Sequence, residues 1–381
     1  MNARKNNLSR KPNLSIERLE DRQMMAGDVA VSNANGFLTI SEAPNQPGGA
    51  NSVQVSQLPS GRIRVQGFAN LAGDVTLVNG LAQQDFDVSG TGILVMNLGD
   101  GNDIAKVGGI APFNRFSEIK INTTAQGAAA DADVDFVSLD LARTTAGIKI
   151  DTGAGGDTVR LANTTAGGRI EINTGDGAAY VDIRNVTTSG PMDITTGNGV
   201  DAISIFGSTI GDGAGVDDLI ISTGAGVDTV KMNVGEINMT QVRGSLRLNT
   251  YAASENDVDS VDMQNVTVDQ NITAFFGDGA DNLIMVNVYA NADIILSGDA
   301  GNDTFTLGSV RSGDDFTVHM GEGGDDLQMD YVVAADRMDL NGGVGFDRVR
   351  HSNVTAREQA FSLWETLNGR GGVSGISGIR G

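Results

Sequence analysis

Residues 194–205 read ITTGNGVDAISI, and residues 221–232 read ISTGAGVDTVKM. In both, a glycine-rich stretch leads to an aspartate, and the aspartate to a short run in which apolar and polar residues alternate. Alternation with a period of two is the mark of a β-strand that buries one face. The repeat of the whole unit asks what period the rest of the chain keeps.

With the aspartate of G-x-G-x-D, or its counterpart, as a marker, the series is Asp103, Asp135, Asp157, Ala179, Asp201, Asp228, Asp259, Asp281, Asp303, Asp325 and Asp347. Seven of the ten separations are 22 residues, and the others are 27, 31 and 32, as insertions in loops would make them. Apolar residues follow two and four positions after each marker, as in Val159 and Leu161, Ile203 and Ile205, or Phe305 and Leu307. A second pair falls at thirteen and fifteen, as in Ile170 and Ile172 or Phe316 and Val318, with a lone apolar residue such as Val186 or Val310 at seven.

Two strands and a corner per 22 residues cannot bury that apolar face alone. Coiling once per repeat lets each strand pair in parallel with its counterparts about 4.8 Å above and below, so that equivalent side chains form ladders. The spacing therefore predicts an all-β, right-handed parallel β-helix with 22-residue coils. The expected divisions are a basic segment at 1–27, an N-terminal cap with the first coils at 28–97, the regular helix at 98–355, and a cap with a Gly-rich tail at 356–381. TAREQAFSLWETLNG (355–369) has helix-forming composition with Phe361, Trp364 and Leu367 at helical spacing, which predicts a short helical cap in which Trp364 packs.

The formal charge is -22, and the two ends are net basic, so the body between them is more acidic still. Such a body repels nucleic-acid phosphates and anionic membranes and favours cations as small partners. Only ten of the 48 acidic residues are Glu; a generic solvated surface would use both acids, whereas Asp is the residue of turns and hard-cation sites. There is no Cys, hence no disulfide or thiolate chemistry, and no run long enough to span a membrane. Residues 10–29, RKPNLSIERLEDRQMMAGDV, resemble the LEPR-XLL segment of large exported bacterial proteins, with Asp21 where Pro is usual and Met24 and Met25 in place of the Leu pair. That resemblance implies a secreted or cell-surface location.

GNGVDAI, GAGVDTV, GDGADNL, GEGGDDL and GVGFDRV resemble the RTX nonapeptide G-G-x-G-x-D-x-U-x, in which calcium sits between turns on Asp carboxylates and loop carbonyls. By that resemblance the metal candidates are Asp103, Asp157, Asp201, Asp228, Asp281, Asp303, Asp325 and Asp347, with calcium as cofactor. RTX repeats recur every nine residues, however, whereas this motif occurs once per 22, leaving calcium one edge at most. Carboxylates in register about 4.8 Å apart would repel by about 1 kcal/mol per pair in water and about 3.5 at an effective dielectric of 20; a divalent cation would reverse the sign. The alternative needs no metal: Gly permits positive φ at the corner, and Asp accepts hydrogen bonds from nearby backbone to close the turn.

Catalysis has less support. Lys106, Arg160 and Lys231 share one outward position but lie on separate coils, as on an ordinary solvated face. His351 falls at an inward position of the last coil and His319 at a surface one. Aromatic residues make up 5% of the chain, which leaves few stacking platforms for sugars. Three insertions, 106–119, 207–219 and 235–248, offer the remaining place for an active site. The expected function is thus structural or adhesive, with divalent cations and a cell-surface polysaccharide or another surface protein as partners; the alternative is a polysaccharide lyase or glycoside hydrolase on the same scaffold.

Overall fold

A computed structural model of the chain describes residues 27–44, 48–70, 73–88, 91–124, 133–251, 257–364 and 366–370; the basic segment and the end of the Gly-rich tail fall outside them. The expected solenoid is present. Each coil has three walls. The coil marked by Asp157 runs through Thr158–Ala162, the two-residue strand Thr165–Ala166 and Ile170–Asn173. The third-wall strands form one continuous sheet of 14 strands, stacked almost wholly in sequence order. The first wall keeps register from coil to coil: Val159, Val181, Ile203, Val230, Val261, Leu283, Phe305, Leu327 and Val349 are successive partners. These columns, with Ile170, Met192, Leu219, Ile272, Phe316 and Met338 from the third wall, fill a fully buried core. One shifted residue would turn a whole strand's apolar set to water, so the pattern pins the register.

The corner between first and second walls carries a device that the apolar pattern does not reveal. The residue six after the marker is left-handed in coil after coil, including Asn163 (φ 51°), Asn185 (φ 52°), Asn265 (φ 54°), Asn287 (φ 56°) and Asn353 (φ 53°). Asn tolerates this region better than other non-Gly residues, and stacking lets its amide bond its neighbour: Asn287 Nδ2 donates to Asn265 Oδ1 at 2.7 Å and Asn185 Nδ2 to Asn163 Oδ1 at 3.3 Å. The second glycine of G-x-G-x-D answers a tighter constraint. A Cβ on Gly301 (φ 146°) would lie 1.3 Å from the Gly279 carbonyl oxygen, and one on Gly345 (φ 154°) 1.3 Å from that of Gly323. Coil stacking leaves no room there for a side chain.

Both ends are closed by strands. At the start, Val29–Ala34 and Phe37–Glu42 form an antiparallel hairpin through Asn35-Gly36, both with positive φ, as a tight two-residue turn requires. Ser52–Gln57, Ile63–Gly67 and Gln83–Phe86 form an antiparallel meander at the head of the first wall. At the far end, the described part of 355–369 corrects the expected helix: Glu358–Ser362 pairs in parallel with Arg337–Asn341, and Thr366–Arg370 with Arg348–Ser352. An unpaired strand edge satisfies the new segment's backbone groups, and that outweighs weak helix propensity. Trp364 is buried as expected, its indole N–H donating to the Leu340 carbonyl at 3.1 Å.

Gly301→Ala is expected to destabilise the protein by about 3 kcal/mol, through steric conflict and positive φ together, whereas deletion of one whole coil, residues 282–303, should leave a shorter but folded β-helix. Denaturant unfolding followed by circular dichroism checks both.

Candidate functional site

All eight metal candidates lie inside the solenoid wall, at 0–2% exposure. Their Oδ1 bonds run between coils instead of closing their own turn. Each carboxylate reaches one coil back: its Oδ1 accepts from the backbone N–H of the preceding marker. Asp103 N donates to Asp135 Oδ1 at 2.7 Å, Asp201 N to Asp228 at 2.9 Å, Asp281 N to Asp303 at 2.9 Å, Asp303 N to Asp325 at 2.8 Å and Asp325 N to Asp347 at 3.0 Å. The marker carbonyl bonds in the other direction, for example accepting from Thr304 N at Asp281 and from Asp326 N at Asp303, both at 2.8 Å. The column is therefore a polar seam that carries the sheet ladder across the turn. Ala179 keeps its place because its N–H still donates to Asp201 Oδ1 at 2.7 Å.

The second oxygen divides the column. Around Asp135 and Asp157 it accepts from threonine hydroxyls five or more residues upstream, Thr123 at 2.5 Å and Thr152 at 2.7 Å. Asp303 and Asp325 have a buried Oδ2 with no hydrogen-bond donor. At Asp303 that oxygen lies with the Met320 carbonyl oxygen about the same small space, a Cβ on Gly298 meeting them at 2.3 and 2.6 Å. Two acceptors facing each other in the interior repel unless a proton lies between them.

The head of the column supplies that proton in another form. Asn51 stands at the rung before Asp103, takes the same backbone bond at 2.7 Å, and donates its amide to the Leu98 carbonyl at 2.8 Å. Leu98 is five residues before its marker, as Met320 is before Asp325. A carboxylic acid protonated on Oδ2 would make the same pair of bonds as this neutral amide.

Burial is the main cause that pushes these carboxyls up, to about 10 for Asp103, about 8 for Asp303, about 7 for Asp228 and about 6 for Asp201 and Asp325. Backbone N–H groups, and the Thr223 hydroxyl beside Asp228, pull in the opposite direction, while neighbouring aspartates add to the rise at Asp228 and Asp303. Protonation removes the repulsion that a charged column would carry.

The outer face of the first wall holds a second arrangement. Lys106 and Arg160 share one column, as expected, but they do not lie on an ordinary solvated face. Lys106 Nζ sits 4.8 Å from the Phe68 ring centre and 5.9 Å from that of Phe136; the Arg160 guanidinium lies 5.5 Å from Phe136 and 5.8 Å from Tyr180. Rings and cations alternate from Phe68 to Tyr180. Arg184 continues the row 4.4 Å over Phe206 while pairing with Asp182 at 2.9 Å. The low aromatic content concealed this concentration, which appears only once the 22-residue register aligns Phe136, Arg160 and Tyr180.

The insertions do not converge. Residues 106–119 belong mostly to the strands Ile104–Phe113 and Phe116–Asn122. The exposed loop 211–216 leaves between the second and third walls, its turn held by Asp217 Oδ2 on Gly213 N at 2.7 Å. The bulge at 234–239 leaves between the first and second, where Glu236 and Asn238 enclose, with Arg184, Asn185, Phe206 and Gly207, a cavity of about 80 Å³. His351 is buried against Phe361, 5.7 Å between ring centres, and burial pushes its pKa down; His319 is exposed. Among the described residues one acidic trio, Asp314, Asp315 and Asp336, brings its carboxylate oxygens within 4.8 Å of one another, away from the marker column. Comparison with protein-family profiles, with curated proteins and with solved structures finds no match.

Because the folded pKa values of the column lie above the ordinary carboxylate value of about 3.9, the folded state binds more protons than the unfolded one. Stability is then fully present below about pH 4 and is lost as pH rises through 6 to 10. The thermal midpoint should fall between pH 5 and pH 9. Asp303→Asn and Asp228→Asn, which keep the acceptor and cannot ionise, should flatten that fall; an unchanged slope in thermal melts would count against a neutral column.

Proposed function

We propose that the protein is a secreted or cell-surface structural β-helix that adheres to its surroundings through its long outer faces. What supports this reading is the use to which the reactive groups are put. The aspartates that could serve as acids or bases are consumed in bonds between coils, and His351 is packed in the core. The insertions emerge at different corners, while the cation and aromatic row extends across consecutive coils as a recognition surface would. The expected partner is a cell-surface polysaccharide or another surface protein, and the reading disfavours an enzyme.

Calcium association belongs to the same proposal. The turn repeat supports it, and with the eight marker aspartates buried the acids proposed to meet a cation are exposed ones such as Asp314 and Asp336. Millimolar calcium should raise the thermal midpoint at neutral pH, because an ion bound only by the folded state stabilises it. An identical midpoint with calcium and with chelator would remove calcium from the account.

The adhesive reading predicts retention on immobilised cell-envelope material without cleavage of it. Incubation with acidic and neutral polysaccharides should release neither reducing ends nor unsaturated uronates; steady release of either would establish an enzyme instead.

A further inference from the structure

We propose that the outer face of the first wall between Lys106 and Lys231 is a binding strip for an extended polysaccharide that carries carboxylates. The proposal rests on the adhesive reading and names its partner. Three observations converge on the strip. First, Phe136, Tyr180 and Phe206 are half-exposed on the outer face of a parallel sheet. Phe136 and Tyr180 stand on coils two apart, about 10 Å at the spacing of paired strands, so successive rings of an extended sugar chain meet successive aromatic faces. Apolar ring faces of sugars stack on such rings, and a polar tip such as the Tyr180 hydroxyl can bond beside them.

Second, the charge on this strip runs against that of the body. On a chain of net charge -22, most described arginines and lysines have carboxylate partners, yet Lys106, Arg160 and Lys231 take part in none of the ion pairs found among the described residues. Lys106 and Arg160 are held over rings, a weak attraction of about 0.5–1 kcal/mol at exposed sites. They remain available to an anion, and the surrounding negative field would repel a polyanion everywhere else and align it here.

Third, the groups between the rings suit hydroxyls. Ser138, Thr158, Asp182 and Ser204 face outward among them. Carboxylates and hydroxyls accept from sugar hydroxyls, and the oligo-dT arm of the test below separates a sugar chain from a single-stranded nucleic acid, the other polymer that rings and cations attract. A cavity lined by Glu236 and Asn238 adjoins the strip at Arg184 and Phe206.

The test is affinity electrophoresis of the full chain in native gels containing polygalacturonate or neutral dextran, with oligo-dT binding measured by fluorescence anisotropy. Polygalacturonate should retard the protein in a salt-sensitive way. Phe136→Leu with Tyr180→Leu, which keeps apolar cover but removes the rings, should weaken retardation about tenfold, equivalent to about 1.4 kcal/mol, and Arg160→Gln should weaken it several-fold. Gln328→Ala, in the same column beyond the strip, should have no effect, and unchanged thermal melts should show that the variants fold. No retardation, equal retardation of the variants, equal retardation in dextran, or tighter binding of oligo-dT would each overturn the proposal. Retention on envelope material without polygalacturonate binding would leave the adhesive reading standing and remove this strip from it.

Discussion

The structure depends on one hydrogen bond repeated along the solenoid, from the backbone N–H of one marker to the carboxyl Oδ1 of the next. A parallel stack must pass its hydrogen-bond ladder around each corner, where the chain turns and its backbone groups diverge. Buried groups left without partners there would each cost about 1–3 kcal/mol. The aspartate spans the gap with a side-chain acceptor, and the strand resumes at the following residue. A related device runs in the reverse direction at another corner, where the later coil donates to the earlier: Asp293 N to Asn271 Oδ1 and Asp315 N to Asp293 Oδ1, at 3.0 and 3.1 Å.

That choice has an electrostatic consequence. A column of charged carboxylates in register would oppose stacking, and burial would multiply the cost. The neutral acid avoids both penalties, and its proton gives Oδ2 something to donate. The column thus stands to Asn51 as acid to amide, and the substitution of one for the other along the seam follows from their common shape. Part of the excess of Asp over Glu has the same origin, because at the marker positions a side chain longer by one methylene would overshoot the backbone of the neighbouring coil.

Much of this was legible in the chain itself. The 22-residue spacing, the apolar pairs and the glycines specified a parallel β-helix, its register and its core. The direction of the aspartates was not legible, because G-x-G-x-D reads equally as an outward cation loop or an inward seam, and only the stacking of coils distinguishes them. Asn163, Asn185, Asn265 and Asn287 were hidden for a similar reason: a polar residue between two strands looks like loop until its left-handed backbone is seen. Phe361 and Trp364 misled because a separation of three fits a helix and also fits a strand followed by a turn. Phe136, Arg160 and Tyr180 are far apart along the chain and become a row only when the coils are aligned.

The central claim is that the most strongly shifted of the buried aspartates, Asp103 and Asp303, are neutral acids at neutral pH. Infrared difference spectroscopy on protein labelled at its aspartate carboxyl carbons measures this directly. The account predicts a protonated-carboxyl band that persists at pH 7, shrinks as pH rises toward 10, and loses intensity in Asp103→Asn and Asp303→Asn. A spectrum at pH 7 with carboxylate bands alone would contradict it.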